Sequence, residues 1–209
     1  MEIIDLRPLH RRALKLTTVT VDRVTSADAT RSTPCPPWDL HALLGHMIGQ
    51  NHGFADAVAG PGDATLEAFA PRPPAPDPAA DWAASADRVA EAFAGADLER
   101  PVLLPEISAE FPFPAGLVVA FHLLDTVVHG WDVATSVELD YQPDDELVAA
   151  TLRVAQFVPT GPAREQPGAT FAPVLPVAED AADWPRTLAL LGRAPRPAAA
   201  RPDSSRTPR

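Results

Sequence analysis

Apolar residues recur every three to four positions along six segments of this sequence, which is the spacing of one face of an α-helix. The predicted helices span about 3–26, 38–59, 78–96, 114–137, 143–157 and 182–192. Residues 99–113 break this pattern and are expected to be irregular or to form a short extended ribbon. The pattern therefore predicts an all-α protein, built as an up-down bundle with additional short helices.

Proline-rich segments separate these helices and divide the chain. Residues 60–77 are predicted to form a long loop or flap, and loops of that length are uncommon unless they are functional or disordered. Residues 195–209 contain too few apolar side chains to fold and are expected to be a disordered tail. We therefore expect one helical domain over 1–194, followed by the tail 195–209.

The second predicted helix carries a stripe of glycines, Gly45, Gly49 and Gly53, at spacing four. Each glycine costs a helix roughly 0.5–1 kcal/mol relative to alanine. Three glycines in register therefore indicate that another backbone or a ligand approaches this side of the helix closely. The alternative is that the helix simply tolerates them.

Composition and charge narrow the functional classes. The formal net charge of −11 and the sequence pI near 4.8 argue against a general nucleic-acid binder, which needs a basic face. The arginines cluster at the end of the chain, from Arg193 onward, and are expected to belong to the disordered end. Cys35 is the only cysteine, the N-terminus does not resemble a signal peptide, and no segment approaches the roughly 20 apolar residues of a membrane span. We expect a cytoplasmic protein that does not bind a membrane.

The fourth predicted helix concentrates the residues that could carry chemistry. His122, Asp125, His129 and Asp132 are spaced by three, four and three, so they span only about 80° of helical arc. Buried titratable groups need partners, and one solution is a metal ion bound by Asp125 and His129, which lie one turn apart. A hydrogen-bonded Asp–His pair without a metal explains the same spacing, and Asp132 could equally be a packing residue with its own hydrogen-bond partner.

A third metal ligand would have to come from another helix. His46 is the best candidate because it lies in the middle of the second helix, among apolar neighbours and beside Gly45 and Gly49. Cys35 lies in a loop between two prolines with no evident base nearby, so we interpret it as structural rather than as a nucleophile.

Three segments of the chain together resemble a known family. They are TPCPPWDLHALLGHMIGQN (33–51), HLLDTVVHGWDVATSV (122–137) and FAPVLPVAEDAADWPRTLALLGRAP (171–195). The chain resembles the mycothiol-dependent maleylpyruvate isomerase-like proteins of actinobacteria, within the DinB/YfiT-like metalloenzyme superfamily. The resemblance covers about residues 5–195.

The resemblance implies an up-down four-helix bundle of the DinB-like type that holds a divalent metal. Zinc is the usual ion, and nickel, iron or manganese would also suit two histidines and a carboxylate. Carried over residue by residue, the ligands and catalytic centre are His46, Asp125 and His129, although many members have glutamate in place of Asp125. Gln50 and His122 are expected to orient a bound cofactor or substrate. A homodimer is compatible with this family.

Three hypotheses for function follow. The first is a metal-dependent, mycothiol-dependent S-transferase or isomerase that acts on a small electrophilic metabolite. The second is a metal-dependent hydrolase, lyase or cyclase that uses no thiol, and the third is a non-catalytic metal- or ligand-binding protein. The maleylpyruvate isomerases carry an additional C-terminal domain, whereas only about 50 residues follow the predicted bundle here, so we do not expect activity on maleylpyruvate itself.

Overall fold

The computed structural model describes residues 4–60, 64–166 and 168–194. Within them, the α-helices are α1 (Arg7–Val21), α2 (Leu40–Ala59), α3 (Pro78–Ala94), α4 (Ala115–Ser136), α5 (Asp145–Ala155) and α6 (Asp183–Leu190), and the strands are β1 (Pro101–Leu104) and β2 (Ser108–Pro114). The predicted helical class is confirmed, with a small two-stranded sheet added. The predicted disordered tail lies outside the described residues.

Side-chain caps explain where several helices begin. The carboxylate of Asp39 accepts a hydrogen bond from the Ala42 amide at the start of α2, and Asp144 does the same for Leu147 in α5. The first helix is shorter than predicted and ends at Val21. Beyond this end, Thr25 and Asp28 form a reciprocal capping box around a short 3-10 turn, Ser26–Asp28, so the chain leaves the helical path.

The four long helices pack in pairs, with α1 against α3 and α4, and α2 against α3 and α4. The centre of the core is formed largely by α4, in which Val118, Val119, Leu123, Val127 and Val133 have no exposed surface. The short helices α5 and α6 pack against each other, and α5 also contacts α4. As a result, α2 and α4, which carry the predicted metal ligands, lie side by side.

The helix α4 corrects the expectation that no segment could span a membrane. By length and composition alone this 22-residue helix is long and apolar enough to cross a membrane. However, 83 % of its most apolar 18-residue stretch is buried inside the fold, as in the core helix of a soluble protein.

The glycine stripe of α2 is covered by residues 69–73, which lie within the predicted loop 60–77. A Cβ atom at Gly49 would lie 2.4 Å from the carbonyl oxygen of Ala70, and one at Gly53 would lie 2.3 Å from the ring of Phe69. Phe69 is itself buried. The predicted close approach is therefore confirmed: backbone atoms lie against Gly45 and Gly49, and the Phe69 side chain lies against Gly53.

The strands β1 and β2 form an antiparallel hairpin over the segment predicted to be irregular or a ribbon. Val102 and Leu104 of β1 are buried, and the hairpin packs against α2 and α4. Its turn is closed by a hydrogen bond from the Ile107 amide to the Leu104 carbonyl. This turn brings Glu106 next to α2.

Candidate metal centre

The structure brings the three predicted ligands together from two helices. The Nε2 atom of His129 lies 3.3 Å from Oδ1 of Asp125, and Nε2 of His46 lies 3.9 Å from the same oxygen. All three ligand atoms lie within 4.8 Å of one another. Ligand atoms on a tetrahedral zinc ion are about 3.3 Å apart, so small side-chain shifts would let these residues bind a single ion.

Aromatic packing fixes the orientation of the His46 ring. The indole of Trp38, which lies just before α2, packs against this ring with a centroid distance of 4.5 Å. The His129 ring meets the His46 ring edge to face, with a centroid distance of 5.1 Å and an interplanar angle of 82°. The side chains of His46 and Asp125 remain 18 % and 27 % exposed, so the cluster is open to solvent on one side.

A buried carboxylate, that of Asp132, binds the ring nitrogen of His129 that faces away from Asp125. The Nδ1 atom of His129 lies 2.9 Å from Oδ2 of Asp132, which has no exposed surface. Because a carboxylate only accepts hydrogen bonds, Nδ1 carries the proton and Nε2 is left facing Asp125 and His46. This carboxylate–histidine arrangement is the usual support of a metal-binding histidine.

Asp132 is in turn neutralised by Arg193, which sequence reasoning grouped with the arginines of the disordered end although it precedes the predicted tail 195–209. That expectation was wrong for Arg193: its side chain is only 3 % exposed, and its Nη2 atom donates to Asp132 Oδ2 at 2.9 Å. The same guanidinium donates to the Leu191 carbonyl and contacts the Cys35 sulfur at 3.5 Å. A buried carboxylate at position 132 was the signal that a cation had to be nearby.

The charges of the cluster shift each other's pKa. Burial by itself would raise the pKa of Asp125, but His129 and His46 outweigh burial and hold that pKa well below its usual range. Burial would lower the pKa of His129, but Asp125 and Asp132 raise it to about 9. His129 is therefore protonated at neutral pH in the metal-free protein, and a metal ion would displace that proton.

Gln50, predicted to orient a ligand, lies one turn after His46 on α2. Its side chain is buried, and its Nε2 atom donates to Oε1 of Glu106 at 3.2 Å. Glu106 was missed by sequence reasoning, because no periodicity marks a residue in a hairpin turn that is brought to α2 by the fold alone.

His122, also predicted to orient a ligand, lies outside the ligand cluster. Its Nδ1 atom is 2.7 Å from Nε2 of His10, and both rings are buried. The rings of Phe54 and Phe93 pack around His122. Burial lowers its pKa to about 4, so it is neutral at physiological pH. These contacts are those of a core residue.

Cys35 lies beside the support of His129. Its sulfur, together with ligand atoms of His129 and Asp132, forms a second group within 4.8 Å. The Arg193 guanidinium already contacts both Cys35 and Asp132, so a positive ion is disfavoured there. Burial raises the pKa of the Cys35 thiol, which also disfavours a reactive thiolate.

Comparison with known proteins decides the family. The family model of the mycothiol maleylpyruvate isomerase N-terminal domain matches residues 10–134, more than half of the chain. This chain belongs to that family. The family predicted from the three sequence segments is thus confirmed. The matched range contains His46, Asp125, His129 and Asp132, but not Arg193.

Two relatives are similar to this chain in sequence, and one solved structure is similar to it in fold. Uncharacterised proteins from two strains of Mycobacterium tuberculosis are each 27 % identical over 192 residues, covering 90 % of this chain and 97 % of the relative. The crystal structure of the mycothiol-dependent maleylpyruvate isomerase matches with a TM-score of 0.53 and 14 % identity, covering 79 % of this chain and 69 % of the other. At that identity the match shows a shared fold alone.

Proposed function

We propose that this family member is a divalent-metal-dependent enzyme that uses a thiol of the mycothiol type to transfer sulfur to, or isomerise, a small electrophilic metabolite. The observation that carries the proposal is the convergence of His46, Asp125 and His129 from two helices, with Asp132 behind His129. Membership of the mycothiol maleylpyruvate isomerase N-terminal domain family supports the thiol.

The donor set fits a catalytic metal rather than a structural one. Two imidazole nitrogens and one carboxylate oxygen suit zinc and its neighbours in the first transition series. Three protein ligands leave a coordination position open, whereas structural zinc sites are closed by four. When bound, the metal supplies Lewis acidity that lowers the pKa of a thiol or water.

Side chains around the cluster orient the two histidines. Asp132 fixes the tautomer of His129, and Trp38 holds the His46 ring in place by packing against it. Gln50 and Glu106 border the cluster from the direction of the hairpin turn. A small-molecule substrate is expected to enter where His46 and Asp125 retain exposed surface.

Elemental analysis and cobalt spectroscopy test this proposal. Protein purified without a histidine tag is expected to hold about one metal ion per chain, and His46→Ala should lose it. The matched control is His41→Ala, which changes an exposed histidine on the same helix and should keep the metal. Adding mycothiol to the cobalt-substituted protein should shift its visible absorption, because thiolate ligation changes the cobalt spectrum.

The outcomes separate the alternatives. Full metal retention by His46→Ala would refute the assignment of the ligands. A metal-loaded protein whose spectrum mycothiol leaves unchanged would refute the thiol and favour a hydrolase, lyase or cyclase. Thiol binding without product from a panel of electrophiles would instead favour a non-catalytic binding protein.

A further inference from the structure

Glu106 is the one acidic side chain of the hairpin turn, and it is tied to the helix that supplies His46. Its carboxylate accepts a hydrogen bond from Gln50, whose own side chain is only 4 % exposed. Because Gln50 and His46 lie four residues apart on α2, their side chains share a face of that helix. The hairpin therefore holds a carboxylate against the face of α2 that carries His46.

The electrostatics of Glu106 agree with this placement. Burial raises the pKa of Glu106, while the hydrogen bond from Gln50 favours its charged form. His46 and Asp125 both shift the same pKa, in opposite directions, so the carboxylate lies within electrostatic reach of the cluster. The Gln50 amide, held in the protein interior, positions this charge.

We propose that Glu106 determines substrate specificity at this centre by disfavouring electrophiles that carry a carboxylate and favouring neutral or cationic ones. The inference rests on the proposed function, since it takes the open side of a loaded metal centre as the substrate side. A dication with Asp125 and Glu106 has no net charge, and a bound thiolate makes the total negative. An anionic electrophile would therefore approach a centre of like charge.

Binding of two small probes to the cobalt-substituted protein at pH 8 tests the proposal. Acetate represents an anionic ligand, imidazole a neutral one, and the visible spectrum reports both. Glu106→Gln keeps an oxygen that can accept from Gln50 but removes the charge, so acetate should bind roughly three- to tenfold more tightly. Imidazole affinity and cobalt content should change by less than about twofold. The matched control is Glu110→Gln, an exposed position on β2, which should change neither affinity.

Three results would overturn the inference. One is an acetate affinity that Glu106→Gln leaves unchanged, and another is an equal gain for acetate and imidazole, which would mean that the variant only opens the site. The third is loss of cobalt from Glu106→Gln, which would make Glu106 a ligand. Absence of cobalt from the unchanged protein would refute the proposed function itself and this inference with it.

Discussion

The buried ion pair behind His129 makes a sharp prediction for the variant Asp132→Asn. The substitution keeps the shape of the side chain but removes its charge. The Arg193 guanidinium, 3 % exposed, would then be buried without a neutralising partner. Breaking a buried pair in this way costs roughly 3–5 kcal/mol of unfolding free energy. For a chain of this size, that corresponds to a loss of roughly 6–20 °C in Tm.

The same substitution should weaken metal binding for a different reason. Asparagine can still accept from Nδ1 of His129, but a neutral acceptor makes the imidazole less basic. Loss of such a supporting carboxylate lowers metal affinity by roughly 10- to 100-fold. Chemical denaturation of the metal-free protein measures the first effect, and competition with a chromogenic chelator measures the second.

A double variant separates the two effects. In Asp132→Asn/Arg193→Met no unpaired charge remains, so much of the stability should return, whereas the metal affinity should stay low. Asp140→Asn, at an exposed position just after α4, is the matched control and should change neither quantity. The reasoning would be refuted if Asp132→Asn lost less than about 1 kcal/mol while its metal affinity matched that of the unchanged protein.

Two further predictions concern the core. Gly49→Ala would place a methyl group against the carbonyl oxygen of Ala70 and should lower the free energy of unfolding in urea by about 1–3 kcal/mol. The control is Gly95→Ala, where a Cβ meets nothing within 4 Å and no such loss is expected. Equal losses in the two variants would contradict the packing argument. The pKa of His122 is about 4 in the folded protein and 6.5 in the unfolded chain, so protonation favours the unfolded state. The free energy of unfolding should therefore fall as the pH drops from 6.5 towards 4, by about 2–3 kcal/mol at pH 4.5. Replacing both His10 and His122 by phenylalanine should remove this part of the pH dependence, and an unchanged profile would argue against the buried pair as its source.

Local sequence patterns predicted the parts of the molecule that depend on neighbours along the chain. Helical periodicity located the six helices to within a few residues, except at the end of α1. There the capping box of Thr25 and Asp28 takes the place of a continued helix. The glycine stripe predicted that a backbone or a ligand approaches α2 closely, and the structure places residues 69–73 there. The spacing of Asp125 and His129 likewise placed both side chains on one turn.

Contacts between residues far apart in sequence could not be predicted in this way. Arg193 reaches Asp132 across 61 positions, and His10 reaches His122 across 112. Neither pairing leaves a periodic signal, because each depends on how α1, α4 and the end of α6 pack. The convergence of His46 with α4 was predicted from family resemblance and not from spacing. The place of Glu106 was not predicted at all, because it depends on the hairpin.

The position of Arg193 sets an order of events during synthesis of the chain. His46, Asp125 and His129 all leave the ribosome before Arg193, which follows Asp132 by 61 residues. At typical elongation rates of about 5–20 residues per second, that interval is roughly 3–12 s. A nascent or truncated chain would thus possess every proposed metal ligand while Asp132 still lacks its cation. The centre reaches its final electrostatic state only when the last described turn of the protein has docked.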